Sequence, residues 1–408
     1  MATLHPFRAL RPVPDLASRI AAVPYDVVST EEARALAEGN PLSFLRVSRA
    51  ELELPSGTDP YSAEVYERAV ANFEKLKPSM VLEEQPGVYF YRLRMGAHEQ
   101  TGVAACFSLD EYDRDVIKKH ERTRRDKEDD RTRHMLALGA QTGPVFLTYR
   151  AADEVDRIEA RVTAGAALYD VEAPDGVRHR LWRAAPADRD ALVAAFGRIP
   201  ALYIADGHHR AASAARARAD IRDRAITRAS MGDDADYTTF LGVAFPHNQT
   251  QILAYNRIVR DIGRPPEAFV AAVRERFEVE SGPAVPAKRG EIAMYLRGGW
   301  QTLRPRTPPN AADPIGSLDV SLLQDLLLAP VLGIADIRTD KRIDFVGGAR
   351  GTAALEQLVD SGTAAVAFSM FPVSVADLMA VSDAGAIMPP KSTWFEPKLR
   401  DGLLIHMI

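Results

Sequence analysis

The stretch that decides the fold is Ala201-Leu202-Tyr203-Ile204-Ala205 followed at once by Asp206-Gly207-His208-His209-Arg210 and an alanine- and arginine-rich run over residues 211–219. The five apolar residues predict a buried strand, and the run after the Asp-Gly pair predicts a helix. A helix N-terminus carries unpaired N–H groups and a partial positive charge, and a glycine allows an anion close to the backbone. With two imidazoles and a guanidinium in the first turn, this junction is suited to a phosphate.

The same residues allow a plainer interpretation. Asp206 can serve as a helix N-cap and Gly207 as a turn residue, with both histidines on the surface. Adjacent histidines on a helix point about 100° apart, so His208 and His209 cannot chelate one metal ion together. A zinc site would therefore need ligands from elsewhere in the chain.

Residues 118–133 form a basic segment inside an acidic protein. Eight cationic side chains face five acidic ones there, although the whole chain of 408 residues has 51 Lys+Arg against 56 Asp+Glu. A solvent-facing helix with i,i+4 ion pairs would explain the segment, and its acidic residues 128–130 could hold Mg²⁺ or simply face water. The functional interpretation is that base, hydroxyl and anion ligands come together in His120, Glu121, Arg122, Thr123 and Arg131.

The remaining pattern mixes strands and helices without strict alternation, which predicts an α+β, or mixed α/β, fold. Asp26 lies in a predicted loop over residues 23–29, where it can serve function or only fix the turn, and Ser29 with Glu32 predicts a helix capping box. Residues 44–47 predict a strand, and residues from about 238 to 260 predict a hairpin. Residues 115–139 predict a charged helical stretch, either continuous or broken in the middle. The prolines at 265 and 266 favour a domain boundary, which gives a core over 1–264 and a C-terminal α/β unit over 265–408.

Composition excludes several classes of protein. A net charge of −5 and a pI near 6.0 argue against a general nucleic-acid or anionic-membrane binder, so we expect a small-molecule partner. The single cysteine, Cys106, excludes an internal disulfide and fits a reducing compartment. Without a long apolar run at the N-terminus or elsewhere, the sequence predicts a cytoplasmic protein. The oligomeric state is left open.

Five segments in this order resemble a family catalogued as a domain of unknown function, number 1015. The segments are residues 23–29, 120–123, 127–131, 206–210 and 388–397. The Asp-Gly-His-His-Arg stretch is also similar to the phosphate-binding motif of free-serine kinases in the ParB/sulfiredoxin superfamily. This resemblance implies a ParB/sulfiredoxin-like phosphate-binding core with large insertions.

The chemistry implied by the resemblance is transfer of a phosphoryl group from pyrophosphate or ATP to the hydroxyl of L-serine, with Mg²⁺. In that reading Gly207, His208, His209 and Arg210 clamp the donor, and Asp206 orients a histidine or approaches the metal. Arg122 and Arg131 would balance further charge. A carboxylate must accept the hydroxyl proton, for which Glu121 is the first candidate and Asp26 the alternative. A nucleotide-binding regulator or adaptor and a phosphatase acting on a small phosphoester are the competing functions.

Overall fold

Helices and strands follow one another irregularly in the computed structural model, which describes residues 1–226, 236–310 and 312–408. The strands are β1 (Leu4–His5), β2 (Ala9–Pro12), β3 (Met80–Leu82), β4 (Tyr89–Met95), β5 (His98–Ser108), β6 (Ile117–Lys118), β7 (Ala140–Gln141), β8 (Val145–Tyr149), β9 (Tyr169–Glu172), β10 (Arg178–Arg183), β11 (Leu202–Asp206), β12 (Thr239–Pro246), β13 (Gln251–Leu253), β14 (Tyr255–Val259), β15 (Phe277–Ser281), β16 (Ile292–Leu296), β17 (Gly299–Pro305), β18 (Ile343–Gly347), β19 (Val366–Met370), β20 (Trp394–Glu396) and β21 (Ile405–Met407). The helices are α1 (Ala17–Ile20), α2 (Thr30–Ala37), α3 (Leu45–Ser48), α4 (Ala63–Leu76), α5 (Leu109–Asp113), α6 (Arg125–Leu138), α7 (Asp153–Thr163), α8 (Pro186–Phe196), α9 (His208–Ile226), α10 (Pro266–Arg274), α11 (Asp319–Leu323), α12 (Gly351–Asp360) and α13 (Val375–Asp383). The mixed α/β class predicted from the sequence is confirmed.

Two compact units share the chain: Met1–Thr250 with Pro397–Ile408, and Gln251–Glu396. The first contains a mixed sheet in the order β6-β11-β8-β12-β5-β4-β10-β9, with β1 on β5, and a smaller sheet in the order β3-β2-β21-β7. The second contains a sheet in the order β15-β17-β16-β19-β14-β18 and the pair β13-β20. The division into 1–264 and 265–408 stays a prediction about domains.

The alanines of α9 explain how this helix fits the first unit. Ala211, Ala214 and Ala217 recur every three residues, are almost fully buried and belong to the same apolar cluster as Leu147 and Ile204 of the large sheet. Small side chains at these positions allow the helix to lie close to the strands. The helix therefore packs on the large sheet, where it contacts β8 and β12.

Several local predictions are confirmed and others are wrong. The capping box forms, since the Ser29 hydroxyl accepts from the Glu32 N–H while the Glu32 carboxylate accepts from the Ser29 N–H. Residues 44–47 instead enter helix α3, because a short apolar run fits a buried helix as well as a strand. The charged helix starts only at Arg125, so Glu121 and its neighbours precede it in irregular structure.

The predicted hairpin over residues 238–260 is also wrong. Strand β12 pairs with β5 and β8, whereas β14 pairs with β18 and β19 in another sheet. The intervening residues, which include β13, carry the chain from one sheet to the other. Partners distant in sequence decided the pairing here, which the local pattern does not encode.

Within the described residues, no helix is both long enough and apolar enough to pass through a lipid bilayer.

Candidate anion-binding site

The strand–turn–helix junction predicted from the sequence is present. Strand β11 runs parallel to β6 and antiparallel to β8, with a register shift just before Asp206. Gly207 has a φ of +93°, which favours glycine, and its N–H donates to Asp206 Oδ1 at 2.9 Å. Helix α9 begins at the next residue, His208. The backbone therefore turns sharply where the sequence places its anion ligands.

Arg210 lies buried within this turn. Its Nη1 donates to the Pro144 carbonyl, while its Nη2 lies 3.5 Å from Asp206 Oδ2 and 3.9 Å from Asp26 Oδ2. Burial alone would lower the pKa of the guanidinium, but the surrounding carboxylates outweigh burial and raise it, so Arg210 stays charged. Its buried Nε has no hydrogen-bond partner within the described part of the chain. One donor of a charged, fixed guanidinium is thus available.

The two histidines of the turn have different surroundings. His208 is buried with its ring perpendicular to that of His120, the centroids 4.4 Å apart, and its Nε2 lies 3.4 Å from the backbone N–H of His120. His209 is more accessible, and its Nε2 accepts from the Arg124 N–H at 3.0 Å. The basic segment and the helix start are therefore in direct contact.

Burial sets the charge of the inner histidine pair. It lowers the pKa of His120 to about 4 and, together with the neighbouring His120 ring, lowers the pKa of His208 well below its usual range. Both rings are therefore neutral near pH 7. The positive charge at the turn comes from Arg210 and not from these imidazoles.

Two further ionisable residues complete the site, and the sequence analysis missed both in this role. Lys398 Nζ lies 3.3 Å from Asp206 Oδ2, and together with Arg210 it holds the pKa of that carboxyl below its usual range although burial acts in the opposite direction. Asp401 is buried beside Arg210, and burial raises its pKa to about 7 against the opposing effect of Arg210. Lys398 directly follows the segment 388–397 of the family resemblance, and nothing local marks Asp401.

A small cavity of about 30 Å³ lies beneath the turn. It is lined in part by Tyr25, Arg131, Arg210 and Asp401, and the Arg131 guanidinium lies 4.1 Å above the Tyr25 ring. By volume it has room for about two water molecules, not for a substrate.

Most of the predicted site residues come together at this turn. His120, Glu121 and the 206–210 stretch are adjacent, Asp26 faces Arg210, and Arg131 borders the cavity. Arg122 is exposed and Thr123 half-buried in the irregular stretch before α6. Their roles in binding an anion stay predictions.

The three carboxylates at 128–130 form ion pairs with arginines. Glu128 and Asp129 pair with Arg216 of α9, and Asp130 pairs with Arg131. Two of the three carboxylates therefore pair with a neighbouring helix and not within α6, because α6 packs against α9. Across the described residues, a single group of three side chains has metal-ligand spacing, namely His120, Glu121 and His208.

Comparison with known proteins gives a family and distant structural likenesses. The family model described as "Protein of unknown function (DUF1015)" matches residues 4–321. No protein of curated function matches the sequence.

Three solved structures illustrate the likeness. A free serine kinase in complex with AMP is 13% identical, with 74% of this chain and 91% of that chain covered and a TM-score of 0.37. SbnI with a C-terminal truncation from Staphylococcus aureus is 12% identical, covering 74% and 87%, with a TM-score of 0.38. A conserved hypothetical protein from Pyrococcus furiosus is 13% identical, covering 75% and 95%, with a TM-score of 0.37. At this identity and TM-score, the three structures show only a distant likeness to this chain.

Proposed function

We propose that this chain, which belongs to the family of proteins of unknown function DUF1015, transfers a phosphoryl group from pyrophosphate or ATP to the hydroxyl of free L-serine. The observation that carries the proposal is the buried Arg210 at the start of α9, with an available Nε and a glycine beside it. Serine as acceptor and the choice of donor rest on the resemblance of the Asp-Gly-His-His-Arg motif.

Phosphoryl transfer needs positioning and charge neutralisation more than covalent chemistry from the protein. Arg210 supplies a fixed positive charge, the first turn of α9 supplies backbone N–H groups, and His209 borders the same surface. Because Pro144 and two carboxylates fix the guanidinium in advance, little reorganisation is needed when the donor binds.

A carboxylate must also accept the proton of the serine hydroxyl. Asp26 lies 3.9 Å from the Arg210 guanidinium with a half-exposed side chain, which supports it as the base next to the donor. Glu121 lies 3.9 Å from His208 Nδ1 and remains the second candidate. The two assignments predict different variants to be inactive.

Magnesium does not fit the described side chains well. Mg²⁺ prefers oxygen ligands, and it takes one or two carboxylates together with substrate phosphates and water. Lys398 and Arg210 already engage Asp206, and Arg210 also faces Asp26. We therefore assign no step to the ion.

The test is to incubate the purified protein with L-serine and each donor in turn and to measure O-phosphoserine by mass spectrometry. Asp26→Asn should reduce kcat by about 10²–10⁴-fold, the usual contribution of a general base. His209→Ala should raise the KM for the donor, while His98→Ala, on β5, serves as the matched control.

Absence of phosphoserine with every donor would contradict the proposal. Release of phosphate from phosphoserine without any donor would instead identify a phosphatase. Full activity in Asp26→Asn with loss of activity in Glu121→Gln would transfer the role of base to Glu121.

A further inference from the structure

Beside the candidate anion site lies a compact group of possible metal ligands, formed by His120, Glu121 and His208. In the proposed phosphoryl transfer, none of them is the preferred general base, and none binds the donor through a positive charge. One ligand atom from each residue lies within 4.8 Å of the other two. We infer that these three residues bind a divalent transition-metal ion of the zinc class. This inference goes beyond the proposed function and holds whether or not serine is the acceptor.

The distances are close to those of a metal site. Metal–ligand bonds of about 2.1 Å place the ligand atoms of a tetrahedral zinc ion about 3.4 Å apart. Here His208 Nδ1 and Glu121 Oε2 are 3.9 Å apart, and the two imidazole rings are perpendicular with centroids 4.4 Å apart. A closure of about 0.5 Å by Glu121, whose side chain is 41% exposed, brings this pair to bonding geometry.

The backbone holds both histidines in place. The His120 ring is hydrogen-bonded to the backbone of Ile204 in β11, an arrangement that metal-binding histidines use to fix their orientation. His208 is fixed at the first position of α9. Its Nε2 lies 3.4 Å from the backbone N of His120, while its Nδ1 is the nitrogen that lies near Glu121.

The donor types identify the class of ion. Two imidazole nitrogens and one carboxylate oxygen are the ligands of many three-residue zinc sites, in which water or substrate takes the remaining position. Mg²⁺ and Ca²⁺ prefer oxygen donors and are disfavoured by two nitrogens. Because the set carries one negative charge, a bound divalent ion would add positive charge next to His209 and Arg210. The open coordination position would then be available to an oxygen of the anion.

The experiment measures metal binding alone, with neither serine nor a phosphate donor present. Tag-free full-length protein is freed of metal by dialysis against a chelator and titrated with Zn²⁺ by calorimetry. We expect one tight site per chain, and Co²⁺ at that site should give a visible absorption band of low-symmetry, nitrogen-containing coordination.

Matched variants make the assignment specific. Glu121→Ala should weaken Zn²⁺ binding by about 100-fold or more, since even outer partners of metal ligands contribute about 10–100-fold. Glu128→Gln, which removes a carboxylate from the same segment, should retain the affinity. His208→Asn should lose binding while its neighbour His209→Asn keeps it. Since Glu121 is partly exposed, its variants test the site even where His208→Asn fails to fold.

Wild-type protein that binds Zn²⁺ no more tightly than Glu121→Ala would overturn the inference. So would Mg²⁺ that displaces Zn²⁺ at equal concentration. Tight Zn²⁺ binding without phosphoserine formation would support the metal site and refute the proposed kinase, so the two can fail separately.

Discussion

Arg210 and the carboxylates around it form a charge cluster that is nearly balanced. Asp26, Asp206 and Asp401 all act to raise its pKa, and Lys398 offsets part of the charge of Asp206. Buried charges of this kind are costly to desolvate, so each depends on the others for stability. The cluster therefore holds the guanidinium in place and also ties the fold to the protonation of its acids.

Replacing the guanidinium should reveal this dependence. Arg210→Met keeps most of the apolar stem but leaves the carboxylates without their main cation, so the free energy of unfolding at pH 7 should fall by about 3–5 kcal/mol. Urea unfolding measures the loss. The deficit should shrink as the pH falls and the carboxylates take up protons, and a deficit that is constant with pH would contradict the account.

Asp401 should impose a pH dependence of its own. Because its pKa is raised to about 7 from an ordinary 3.8, the folded chain binds a proton that the unfolded chain releases between these values. Its stabilising contribution is complete below about pH 4 and is lost as the pH rises through 7, by about 1.4 kcal/mol per unit of pKa shift.

The Asp401→Asn variant tests this contribution. As the pH rises from 5 to 8, the wild type should lose this contribution and the variant should not. The variant should therefore become more stable relative to the wild type. The buried histidines titrate in both proteins, so the difference isolates Asp401. A difference that does not vary with pH would contradict the raised pKa.

At the scale of elements, the junction of β11 and α9 depends on one glycine. A Cβ on Gly207 would lie 3.0 Å from Arg210 Cζ and 3.1 Å from its Nε. The positive φ adds backbone strain for any other residue. The glycine thus allows both the sharp turn and the close approach of the guanidinium.

Gly207→Ala should therefore destabilise the protein by more than strain alone, which is of order 1–3 kcal/mol. Gly176→Ala is the matched control, since Gly176 has a φ of +77° in the β9–β10 turn but open space around its Cβ position. Thermal unfolding of both variants provides the measurement. Equal losses would mean that contact with Arg210 has no part in the effect.

Local sequence patterns predicted this junction because all of its signals lie close together, within residues 201–217. The apolar strand, the Asp-Gly turn and the alanine stripe each follow from neighbouring residues. Residues 44–47 were misassigned because so short a run, with three apolar residues and Arg46, suits either structure. Strand β12 was misassigned because its partners, β5 and β8, are distant in sequence.

At the scale of the whole molecule, local sequence patterns likewise predict only part of the candidate site. His120, Glu121, Asp26 and the 206–210 stretch could be selected from their residue types and from the family resemblance. Lys398 and Asp206, which are in contact, are 192 positions apart in the sequence. Asp401 is held in place by a backbone bridge to Ala22, which is also distant in the sequence. Contacts of that range arise from tertiary packing, which one sequence does not reveal.

The last twelve residues are integral to the first unit. Leu403, Leu404 and Ile405 are almost fully buried, and β21 pairs with both β2 and β7. A chain ending at Glu396 should therefore lose about 1.5–3 kcal/mol for each of these side chains and should not fold cooperatively. Circular dichroism and urea unfolding would show this, with removal of Ile408 alone as the mild control. A truncated chain with unchanged stability would contradict it.

This arrangement also fixes an order of events during synthesis. The chain leaves the first unit at Thr250 and returns to it only at Pro397. At about 5–20 residues per second, the ribosome needs of the order of ten seconds to make the stretch between. For that time Asp206 has no Lys398 and the small sheet has no β21, so the nascent first unit exposes an unfinished edge. Gln251–Glu396 can form its own contacts meanwhile, and the candidate anion site gains Lys398 and Asp401 only after that stretch has been made.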